Sequence, residues 1–574
     1  MKNNKKSFTL GVCNGETASA CLFEKGILVA AASEERFTRK KYDQSFPVRS
    51  IEYLLSHSNI KLNEIEHIAY AWCKGFHPDL KTKYDKRSEE CKKISEESFK
   101  IFSEKIKSET HRDKPILKKF KDWAKTSLSS KQQISQFYHH EAHAASAALL
   151  SPFDKGLVLT SDGRGDFESL AVWLFDRNNS ISLKKIYSST SSDSLGYFYG
   201  RITGLLGFKP MKHEGKITGL AAHGDPVKAL PLMKKMINVK NGELIASFGN
   251  YYRPYFTPYT QILIDEVNKF SREDIAAAAQ KHLEWCLCEI LNYYCKKLNL
   301  NSIPLMLAGG TFGNVKATQV LKSLNYINKV FVQPQMGDGG LCIGAAALSL
   351  HSRKIKVNPL KNVYLGPPIK NINIDLLKQK FPKLNFDKYE SLEKEMCKDL
   401  TNNKVLGLVR GRMEFGPRAL CNRSIIYKTS DRSINDWLNK RLKRTEFMPF
   451  APVIRNETAE IAFKNYSPND FTLKFMTSTI DCSEKFSEKC PAVSHIDKTA
   501  RPQVVFKKDD SFLWNLLKKW EEISSEMSLV NTSFNAHEEP IVCNEKEAID
   551  ALTNKMVDIL YIENIRISFK ENNK

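Results

Sequence analysis

Long apolar runs are missing from this sequence of 574 residues. No stretch reaches the roughly 18 to 20 uncharged residues that a membrane-spanning helix needs, so we expect no membrane partner. The chain opens with a basic segment, residues 1–7, but an alternating strand that breaks at Asn14-Gly15 follows it instead of a continuous apolar stretch. We therefore expect no signal peptide and a cytoplasmic protein.

Cysteine pairs with the CxxC spacing are missing as well. The 13 cysteines are scattered along the chain, and none of them belongs to a CxxC pair. This pattern predicts a reduced compartment and excludes a structural zinc site built on such pairs.

Basic residues are not concentrated in one part of the chain, although the formal net charge is +22. A nucleic-acid-binding protein would be expected to interleave lysines with aromatic residues in a compact stretch. The dispersed charge therefore favours small polyanionic substrates over nucleic acid as partners. The length exceeds what one hydrophobic core organises, so we expect two or more domains.

A histidine pair on an alanine-rich segment, residues 138–147, is the most informative feature. His139 and His143 are four residues apart, so a helix would place both imidazoles on one face, where they could bind one divalent cation. A buried strand predicted at residues 155–160 would deliver Asp162 to its carboxyl end as a third ligand. The alternative is simple helix packing, which is the commoner role of a lone HxxxH.

Two glycine-rich turns follow predicted strands further along the chain. Residues 305–307 lead into Gly309 and Gly310, and residues 330–332 lead into a turn that contains Asp338. Glycines at strand-to-helix turns let backbone amides approach a phosphate at a helix N-terminus. Two such turns in succession predict phosphate contacts, with Asp338 as a fourth metal ligand.

A strand–loop–strand–turn–strand pattern begins near residue 8 and recurs near residue 157. Such a duplication is typical of an actin-like or sugar-kinase-like α/β fold, in which two related halves face each other across a cleft. Residues from about 80 to 133 are rich in lysine, glutamate and serine, and we predict a helical insertion without chemistry there. We predict a first domain over 1–355, a linker over 356–374 and a second domain over 375–574.

An arginine-rich segment, residues 410–424, marks the second domain. Its guanidinium groups would repel one another unless anions compensate them, and the planar fork of arginine suits phosphate and carboxylate oxygens. Apolar residues such as Met413 and Phe415 alternate with the arginines, which favours a partly buried wall over the alternative of a solvated charge run. Further basic and polar clusters follow at 440–450, 495–503 and 531–535.

With these motifs, the chain resembles the O-carbamoyltransferases of antibiotic and nodulation-factor biosynthesis, in order and over nearly its full length. The resemblance implies an actin-like N-terminal domain, similar to the tRNA-threonylcarbamoyl transferase subunit, and a YrdC-like C-terminal domain with a twisted α/β sheet. The matching motifs are residues 34–40, the His139/His143 pair, Asp162-Gly163, residues 214–216, the Gly-Gly turn before Asn314, and residues 337–339, 411–424, 491–503 and 531–535.

The resemblance also implies a division of labour. In that family the C-terminal domain forms carbamoyl adenylate from ATP and carbamoyl phosphate, and the N-terminal domain passes the carbamoyl group to an acceptor hydroxyl. We therefore expect an ATP-dependent O-carbamoyltransferase for a small natural-product or sugar-like acceptor, with Mg²⁺ accompanying ATP and a homodimer as one expected assembly. The resemblance also implies a divalent metal held by His139, His143, Asp162 and Asp338. The metal is iron in the family, with manganese or zinc as alternatives, and it would polarise the carbamoyl carbonyl.

The expected site residues form two overlapping sets. Catalytic roles are expected for Glu16, Arg418, Lys443, Arg444 and Arg501. Nucleotide and phosphate binding is expected for Gly309, Gly310, Asn314, Lys216, Arg412, Arg418, Asn422, Arg423, Arg501, Gln503, Asn531, Ser533 and Asn535.

Four positions depart from the family pattern without removing a metal ligand or a core arginine. Glu16 stands where many relatives carry a histidine, which leaves the base and the acceptor open. Cys421 and Glu538 stand where glycine is usual, and Met448 stands where arginine is usual.

Two other functions fit parts of the sequence. A sugar-kinase-like phosphotransferase would use the duplicated fold but would leave the HxxxH pair and the C-terminal arginines without a role. An RNA-binding accessory protein related to tRNA threonylcarbamoylation would fit the net charge. An activity that depends on carbamoyl phosphate would argue against the phosphotransferase. Salt-sensitive RNA binding without pyrophosphate release would favour the RNA-binding protein.

Overall fold

The computed structural model describes residues 7–179, 183–254, 257–369, 372–444 and 450–570. It divides the chain into two compact units: unit 1 is Met1–Glu34 with Tyr42–Lys361, and unit 2 is Glu35–Lys41 with Asn362–Lys574. The seven residues Glu35–Lys41 thus belong to unit 2, although they lie in the range predicted for the first domain. The predicted linker at 356–374 stays a prediction.

The first sheet of unit 1 has the strand order β3-β2-β1-β4-β5. The hairpin partners β1/β2 and β2/β3 are antiparallel, whereas β1/β4 and β4/β5 are parallel. All six residues of β1 are buried, as expected for a strand that is covered on both faces. The strands are β1 Phe8–Cys13, β2 Ser19–Glu24, β3 Ile27–Ser33, β4 His67–Ala71 and β5 Gln133–Phe137.

The second sheet of unit 1 repeats this plan in the order β8-β7-β6-β11-β12. Again the first two pairings, β6/β7 and β7/β8, are antiparallel, and the last two, β6/β11 and β11/β12, are parallel. The matching order and directions confirm the predicted duplication in an actin-like α/β fold. The strands are β6 Lys155–Gly165, β7 Glu168–Asp176, β8 Leu183–Thr190, the separate hairpin β9 Ile237–Lys240 and β10 Glu243–Ala246, then β11 Ile303–Ala308 and β12 Ile327–Val332.

Helices connect and cover these strands, and several begin at a side chain that caps the first turn. Ser95 accepts a hydrogen bond from the Ser98 amide at the start of α4, and Ser271 accepts one from the Asp274 amide at the start of α10. The helices of unit 1 are α2 Val48–Ser58, α3 Lys81–Ile94, α4 Glu96–Ser127, α5 His139–Ala148, α6 Leu195–Leu205, α7 Glu214–Ala221, α8 Pro226–Met236, α9 Gln261–Val267, α10 Arg272–Lys297, α11 Val315–Lys322 and α12 Leu341–Ser352; α1 Glu35–Thr38 precedes them in the chain and belongs to unit 2.

Helices α5 and α12 lie at the centre of unit 1. Helix α5 packs on β6, β7 and β11, helix α12 packs on β1, β2 and β4, and the two helices pack on each other. A Cβ added at Gly344 would lie 1.8 Å from the Ala142 carbonyl oxygen, so this contact requires glycine. The two helices therefore join the two sheets; α5 carries His139 and His143, and α12 follows the turn that carries Asp338.

Helices α3 and α4 fall in the predicted insertion and pack against each other. On α4, Phe120 stacks on Tyr70 of β4 with ring centroids 4.0 Å apart. Helix α4 thereby lies along the first sheet and carries Arg112 and Asp113 towards residues of that unit. None of the helices in the described ranges is long and apolar enough to cross a membrane.

Unit 2 is built on a mixed sheet with the order β14-β24-β23-β15-β17-β22-β18-β21. Buried apolar clusters lie on this sheet, and α14 and α19 pack together in one of them. The second domain is therefore α/β, as predicted.

The strands and helices of this unit follow the same chain order. The strands are β13 Tyr364–Pro368, β14 Leu384–Lys388, β15 Leu406–Val409, β16 Arg412–Glu414, β17 Arg423–Lys428, β18 Ala451–Arg455, β19 Ile480–Asp481, β20 Thr499–Ala500, β21 Gln503–Val505, β22 Leu529–Ser533, β23 Ile559–Ile562 and β24 Ile565–Phe569; the helices are α13 Ile374–Lys380, α14 Leu392–Thr401, α15 Ile434–Arg441, α16 Asn456–Ala462, α17 Phe471–Lys474, α18 Glu484–Lys489, α19 Ser511–Ser524 and α20 Glu545–Thr553.

Candidate functional site

The structure brings the four predicted metal ligands together in unit 1. One nitrogen or oxygen atom from each of His139, His143, Asp162 and Asp338 lies within 4.8 Å of the corresponding atom of the others. The His143 Nε2 atom is 3.1 Å from Asp162 Oδ2 and 3.6 Å from Asp338 Oδ1. The His139 Nε2 atom is 3.7 Å and 3.6 Å from the same two oxygens.

Three different chain segments deliver these ligands. His139 and His143 lie on α5, directly after β5, so the helical spacing puts both rings on one side. Asp162 lies in the carboxyl-terminal part of β6, and Asp338 opens the short 3₁₀ turn before α12. The parallel strands end at this edge, which is where ligands commonly bind in α/β sheets.

Supporting groups fix the orientation of the histidine face. The His139 amide donates to Asp166 Oδ2 at 2.9 Å, and the edge of the His139 ring meets Trp72 with centroids 4.7 Å apart. A Cβ at Gly165 would lie 2.0 Å from His139 Cγ, so only glycine leaves room for this ring. The Gly163 amide donates to Asp162 Oδ1 at 2.7 Å and leaves the other carboxylate oxygen towards the histidines.

Burial and close contact perturb all four ligands. Burial lowers the pKa of His139 to about 4. Burial also opposes charge on His143, but its contacts with Asp162 and Asp338 outweigh this and raise its pKa to about 9. Burial, together with the charge of Asp162, raises the pKa of Asp338 to about 7. Burial disfavours the Asp162 carboxylate, yet contacts with both histidines hold its pKa well below the usual range.

The donor set fits a divalent cation. The His139 Nε2 atom is buried and makes no hydrogen bond within the part of the chain that the structure describes, although two carboxylate oxygens face it. Two imidazole nitrogens and two carboxylates form a mixed N/O set that suits iron, manganese or zinc. Such ligands bind a metal in their unprotonated forms, so metal binding would release the protons that His143 and Asp338 hold.

Two of the predicted nucleotide residues of unit 1, Gly309 and Gly310, lie against residues 161–162 beside this cluster. Gly309 has a φ of +105° and approaches the Ser161 carbonyl so closely that a Cβ would lie 2.1 Å from that oxygen. Gly310 faces Asp162 Oδ1. Asn314 caps α11, where its Oδ1 accepts from the Ala317 amide at 3.0 Å. Lys216 is buried on α7.

Glu16 lies in the loop after β1 and is held by residues of other segments. Its carboxylate pairs with Arg112 of α4 at 3.0 Å and accepts from Gln44 Nε2 at 3.1 Å. Burial and the negative charge of Asp162 raise the pKa of Asp338 most, and the negative charge of Glu16 raises it further. Glu16 is therefore within electrostatic reach of the ligand cluster.

Sequence reasoning missed Arg112, Asp113 and Arg164. Arg164 is buried, lies two residues after Asp162 and donates from Nη1 to Asp113 Oδ1 at 2.8 Å. Its Nε and Nη2 atoms have no hydrogen-bond partner among the described residues. Arg164 could have been found from its place in the run at 161–166, but the lysine- and glutamate-rich insertion gave no signal for Arg112 or Asp113.

In unit 2, protein groups hold Arg410, Arg412 and Arg423 of the arginine-rich segment. Arg410 pairs with Asp510, Arg412 donates to the Gly366 carbonyl at 3.2 Å, and Arg423 is fully buried and donates to the Arg410 carbonyl at 2.8 Å. The predicted phosphate binding by Arg412 and Arg423 stays a prediction, since both guanidiniums have backbone partners here.

Arg418 and Arg501 form a different pair. Burial, and then the positive charge of Arg418, lower the pKa of Arg501 well below its usual value. The Arg501 Nε atom has no hydrogen-bond partner within the described ranges. Two like charges in a partly buried place favour an anion between or beside them.

Several other predicted residues surround the segment that carries Arg418. Asn531 Nδ2 donates to Gln503 Oε1 at 2.7 Å and to the Ala419 carbonyl at 3.0 Å. Asn422 Nδ2 donates to the Arg412 carbonyl at 2.8 Å. The structure thus brings 419–422 together with β21 and β22.

A second group gathers around Arg444. Its Nη1 donates to Thr532 Oγ1 at 2.8 Å, and its Nη2 donates to the carbonyls of Ser533 at 2.7 Å and Asn535 at 3.1 Å. Lys443 is exposed. Arg444, Ser533 and Asn535 therefore form one cluster, and the catalytic role expected for Lys443 stays a prediction.

The backbone accounts for two departures from the family pattern. Cys421 has a φ of +69° and Glu538 a φ of +59°. This left-handed conformation is the one that glycine adopts most readily, which explains a usual glycine at both positions. Met448 lies at 445–449, outside the described residues.

Comparisons with known proteins agree with this organisation. The carbamoyltransferase N-terminus family matches residues 10–347, and the carbamoyltransferase C-terminus family matches residues 397–568. An uncharacterized protein of Methanocaldococcus jannaschii is 33% identical over 97% of this chain and 99% of its own length. Nodulation protein NolNO of Sinorhizobium fredii is 28% identical over 95% of this chain and 78% of its own, and nodulation protein NolO of Bradyrhizobium diazoefficiens is 31% identical over 74% and 77%. The chain therefore belongs to the carbamoyltransferase family and is a carbamoyl-transferring enzyme.

Proposed function

We propose that this enzyme is an ATP-dependent O-carbamoyltransferase that works in two steps, one in each unit. In unit 2, carbamoyl phosphate, ATP and water, with Mg²⁺, yield carbamoyl adenylate, inorganic phosphate and pyrophosphate. In unit 1, the carbamoyl group passes to a hydroxyl of a small acceptor, and AMP and the hydroxyl proton are released. The observation that carries this proposal is the convergence of His139, His143, Asp162 and Asp338 in the unit that matches the N-terminus family.

In unit 1 these four residues would hold a divalent cation, with iron favoured and manganese or zinc as alternatives. Bound there, the cation would act as a Lewis acid on the carbamoyl carbonyl. The close turn at Gly309-Gly310 leaves backbone free of side chains beside Asp162, which suits the phosphate of a nucleotide. Carbamoyl adenylate would lie across this turn.

Glu16 would meet the acceptor. Its carboxylate is partly exposed and is steadied by Arg112 and Gln44, so it is available to orient a hydroxyl or to take its proton. A small hydroxylated compound suits such a pair, because hydroxyls both donate and accept hydrogen bonds.

In unit 2 the pair Arg418 and Arg501 would bind the reacting phosphates. Each guanidinium offers a fork of donors, and an anion relieves the repulsion that lowers the pKa of Arg501. The neighbouring amides Gln503 and Asn531, which already contact each other, would complete the wall of this site.

Two variants separate the steps. Arg418→Ala is expected to abolish pyrophosphate release that depends on carbamoyl phosphate, and with it all transfer. Asp338→Ala is expected to stop transfer while pyrophosphate release stays measurable. Each loss should be about hundredfold or more, because a bidentate phosphate contact and a Lewis acid are each worth several kcal/mol to a transition state.

The assay measures pyrophosphate by a coupled enzyme and carbamoylated product by mass spectrometry as a gain of about 43 Da, the mass that follows from replacing a hydroxyl proton by CONH₂. Exposed residues provide matched controls, Arg432→Ala in unit 2 and Asp85→Ala in unit 1. If folded Asp338→Ala loses pyrophosphate release as completely as Arg418→Ala, the two chemistries share one site and the division between units is wrong.

A further inference from the structure

The run at residues 34–40, one of the motifs that carry the family resemblance, has no role in the two steps above. Seven residues, Glu35–Lys41, belong to unit 2, although β3 before them and Tyr42 after them belong to unit 1. We call this segment the strap. Its first four residues form α1, and Glu35 and Arg36 are buried within it.

The N-terminal half of the strap contacts the arginine-rich segment of unit 2, residues 410–424. Arg36 Nη2 donates to the Gly416 carbonyl at 3.2 Å, and Arg36 Nη1 pairs with Glu35 at 3.2 Å. Gly416 has a φ of +148°, a backbone conformation that residues with a side chain rarely adopt. Arg418 follows two residues later, so the Arg36 contact holds the backbone that leads directly into Arg418.

The other end of the strap is anchored at three points. Arg39 donates to the Ile541 carbonyl at 2.8 Å and to the Pro540 carbonyl at 2.7 Å, and pairs with Glu547 at 3.2 Å. Between the two arginines, Phe37 packs against a buried cluster of Met413, Ile541 and Cys543.

The anchoring surface itself touches the arginine-rich segment. Arg423 donates from Nε to the Cys543 carbonyl at 3.3 Å, and Glu547 accepts from the Cys543 amide at 2.8 Å. The strap, residues 540–543 and the arginine-rich segment therefore form one connected network. Within this network the Arg36 contact falls on a glycine, the residue type that restrains its own dihedral angles least.

We infer that Arg36 is a positioning residue for the anion site of Arg418 and Arg501, supplied by the strap from the first part of the chain. This inference rests on the proposed function only in naming the anion as a reacting phosphate. A charged, buried hydrogen bond on the Gly416 carbonyl limits where the Arg418 fork can lie. A shift of about 1 Å in a phosphate-binding group commonly costs about a hundredfold in rate, so this bond controls the first step.

The test compares Arg36→Met, which keeps the apolar stem, with Arg36→Lys, which keeps the charge but not the fork. Lys40→Met removes an exposed positive charge from the same strap and is the control. Full-length proteins are titrated with pyrophosphate by calorimetry, and Arg418→Ala identifies the binding that belongs to the site. Arg36→Met is expected to weaken pyrophosphate binding at least tenfold and to raise the KM for carbamoyl phosphate. Arg36→Lys should lie between Arg36→Met and the parent, and Lys40→Met should equal the parent.

A contact that only stabilises the fold would behave differently. It would lower the melting temperature and the active fraction but leave the KM of the surviving enzyme for carbamoyl phosphate unchanged. An unchanged KM in Arg36→Lys, together with a lower melting temperature, overturns the inference. This comparison decides the question even if Arg36→Met does not fold. Parent-like pyrophosphate affinity in folded Arg36→Met overturns it as well. If the parent binds pyrophosphate but releases none from ATP and carbamoyl phosphate, the proposed function fails, and the Arg36 variants still decide the role of the strap. A parent that binds no pyrophosphate overturns both.

Discussion

Gly165→Ala is expected to disable the candidate metal centre without touching a ligand. The new Cβ would lie 2.0 Å from His139 Cγ and 2.3 Å from its Nδ1 and Cδ2 atoms. Carbon atoms in contact are about 3.5–4.0 Å apart, so the ring and the strand must separate by about 1.5 Å. His139 is fully buried and contacts Trp72, which leaves it little room to move. Metal–ligand distances tolerate only about 0.2 Å, so His139 would be lost as a ligand.

We expect the affinity for the added metal to fall by about a hundredfold or more, because loss of a group that merely orients a metal ligand already lowers metal affinity about 10- to 100-fold. Apo protein is titrated with Mn²⁺ and Zn²⁺, and with Fe²⁺ under anaerobic conditions, and bound metal is measured by elemental analysis. Gly215→Ala is the matched control, since a Cβ there meets nothing within 4 Å. If folded Gly165→Ala retains parental metal affinity, His139 is not a ligand and the four-residue assignment is wrong.

Two further substitutions test packing in unit 2. Asp399→Ala removes a carboxylate that accepts hydrogen bonds from Arg566 Nε at 2.8 Å, from Arg566 Nη2 at 2.9 Å and from the Tyr561 hydroxyl at 2.6 Å. The free energy of unfolding in urea should fall by about 3 kcal/mol, which is the lower end for a broken buried ion pair, because the Arg566 side chain is 19% exposed. An unchanged urea midpoint would contradict this, and exposed Asp387→Ala is the control. Glu538→Gly should raise the free energy of unfolding by up to about 1 kcal/mol, because relief of a left-handed backbone, worth about 1–2 kcal/mol, exceeds the added flexibility of glycine. Glu539→Gly, without a positive φ, should instead be destabilising, and equal shifts in both variants would refute the strain.

The two halves of unit 1 were readable from the sequence because their signals are local. Alternating apolar strands and glycine turns recur in the same order, and the two sheets follow that order strand for strand. The HxxxH spacing likewise determines that two imidazoles share one face of α5, whatever the rest of the chain does.

The arginine-rich segment shows where local reading ends. From the sequence, its guanidiniums form one uncompensated group. In the structure Asp510 neutralises Arg410, and backbone carbonyls occupy Arg412 and Arg423. Asp510 lies 100 residues from Arg410, so no local pattern could pair them. Arg418 and Arg501, which are 83 positions apart in the sequence, lie close enough for the charge of Arg418, after burial, to lower the pKa of Arg501.

The sequence by itself thus determined the fold class, the family and the chemical types at the site, because periodicity, turn residues and ligand spacing act over a few residues. Tertiary structure decided which of those groups meet. Asp113 and Arg164 are 51 residues apart, Arg36 and Gly416 are 380 apart, and the ligands Asp162 and Asp338 come from β6 and from the turn before α12. Such contacts depend on how sheets pair and helices pack, and the long chain between the partners carries no pattern that specifies them.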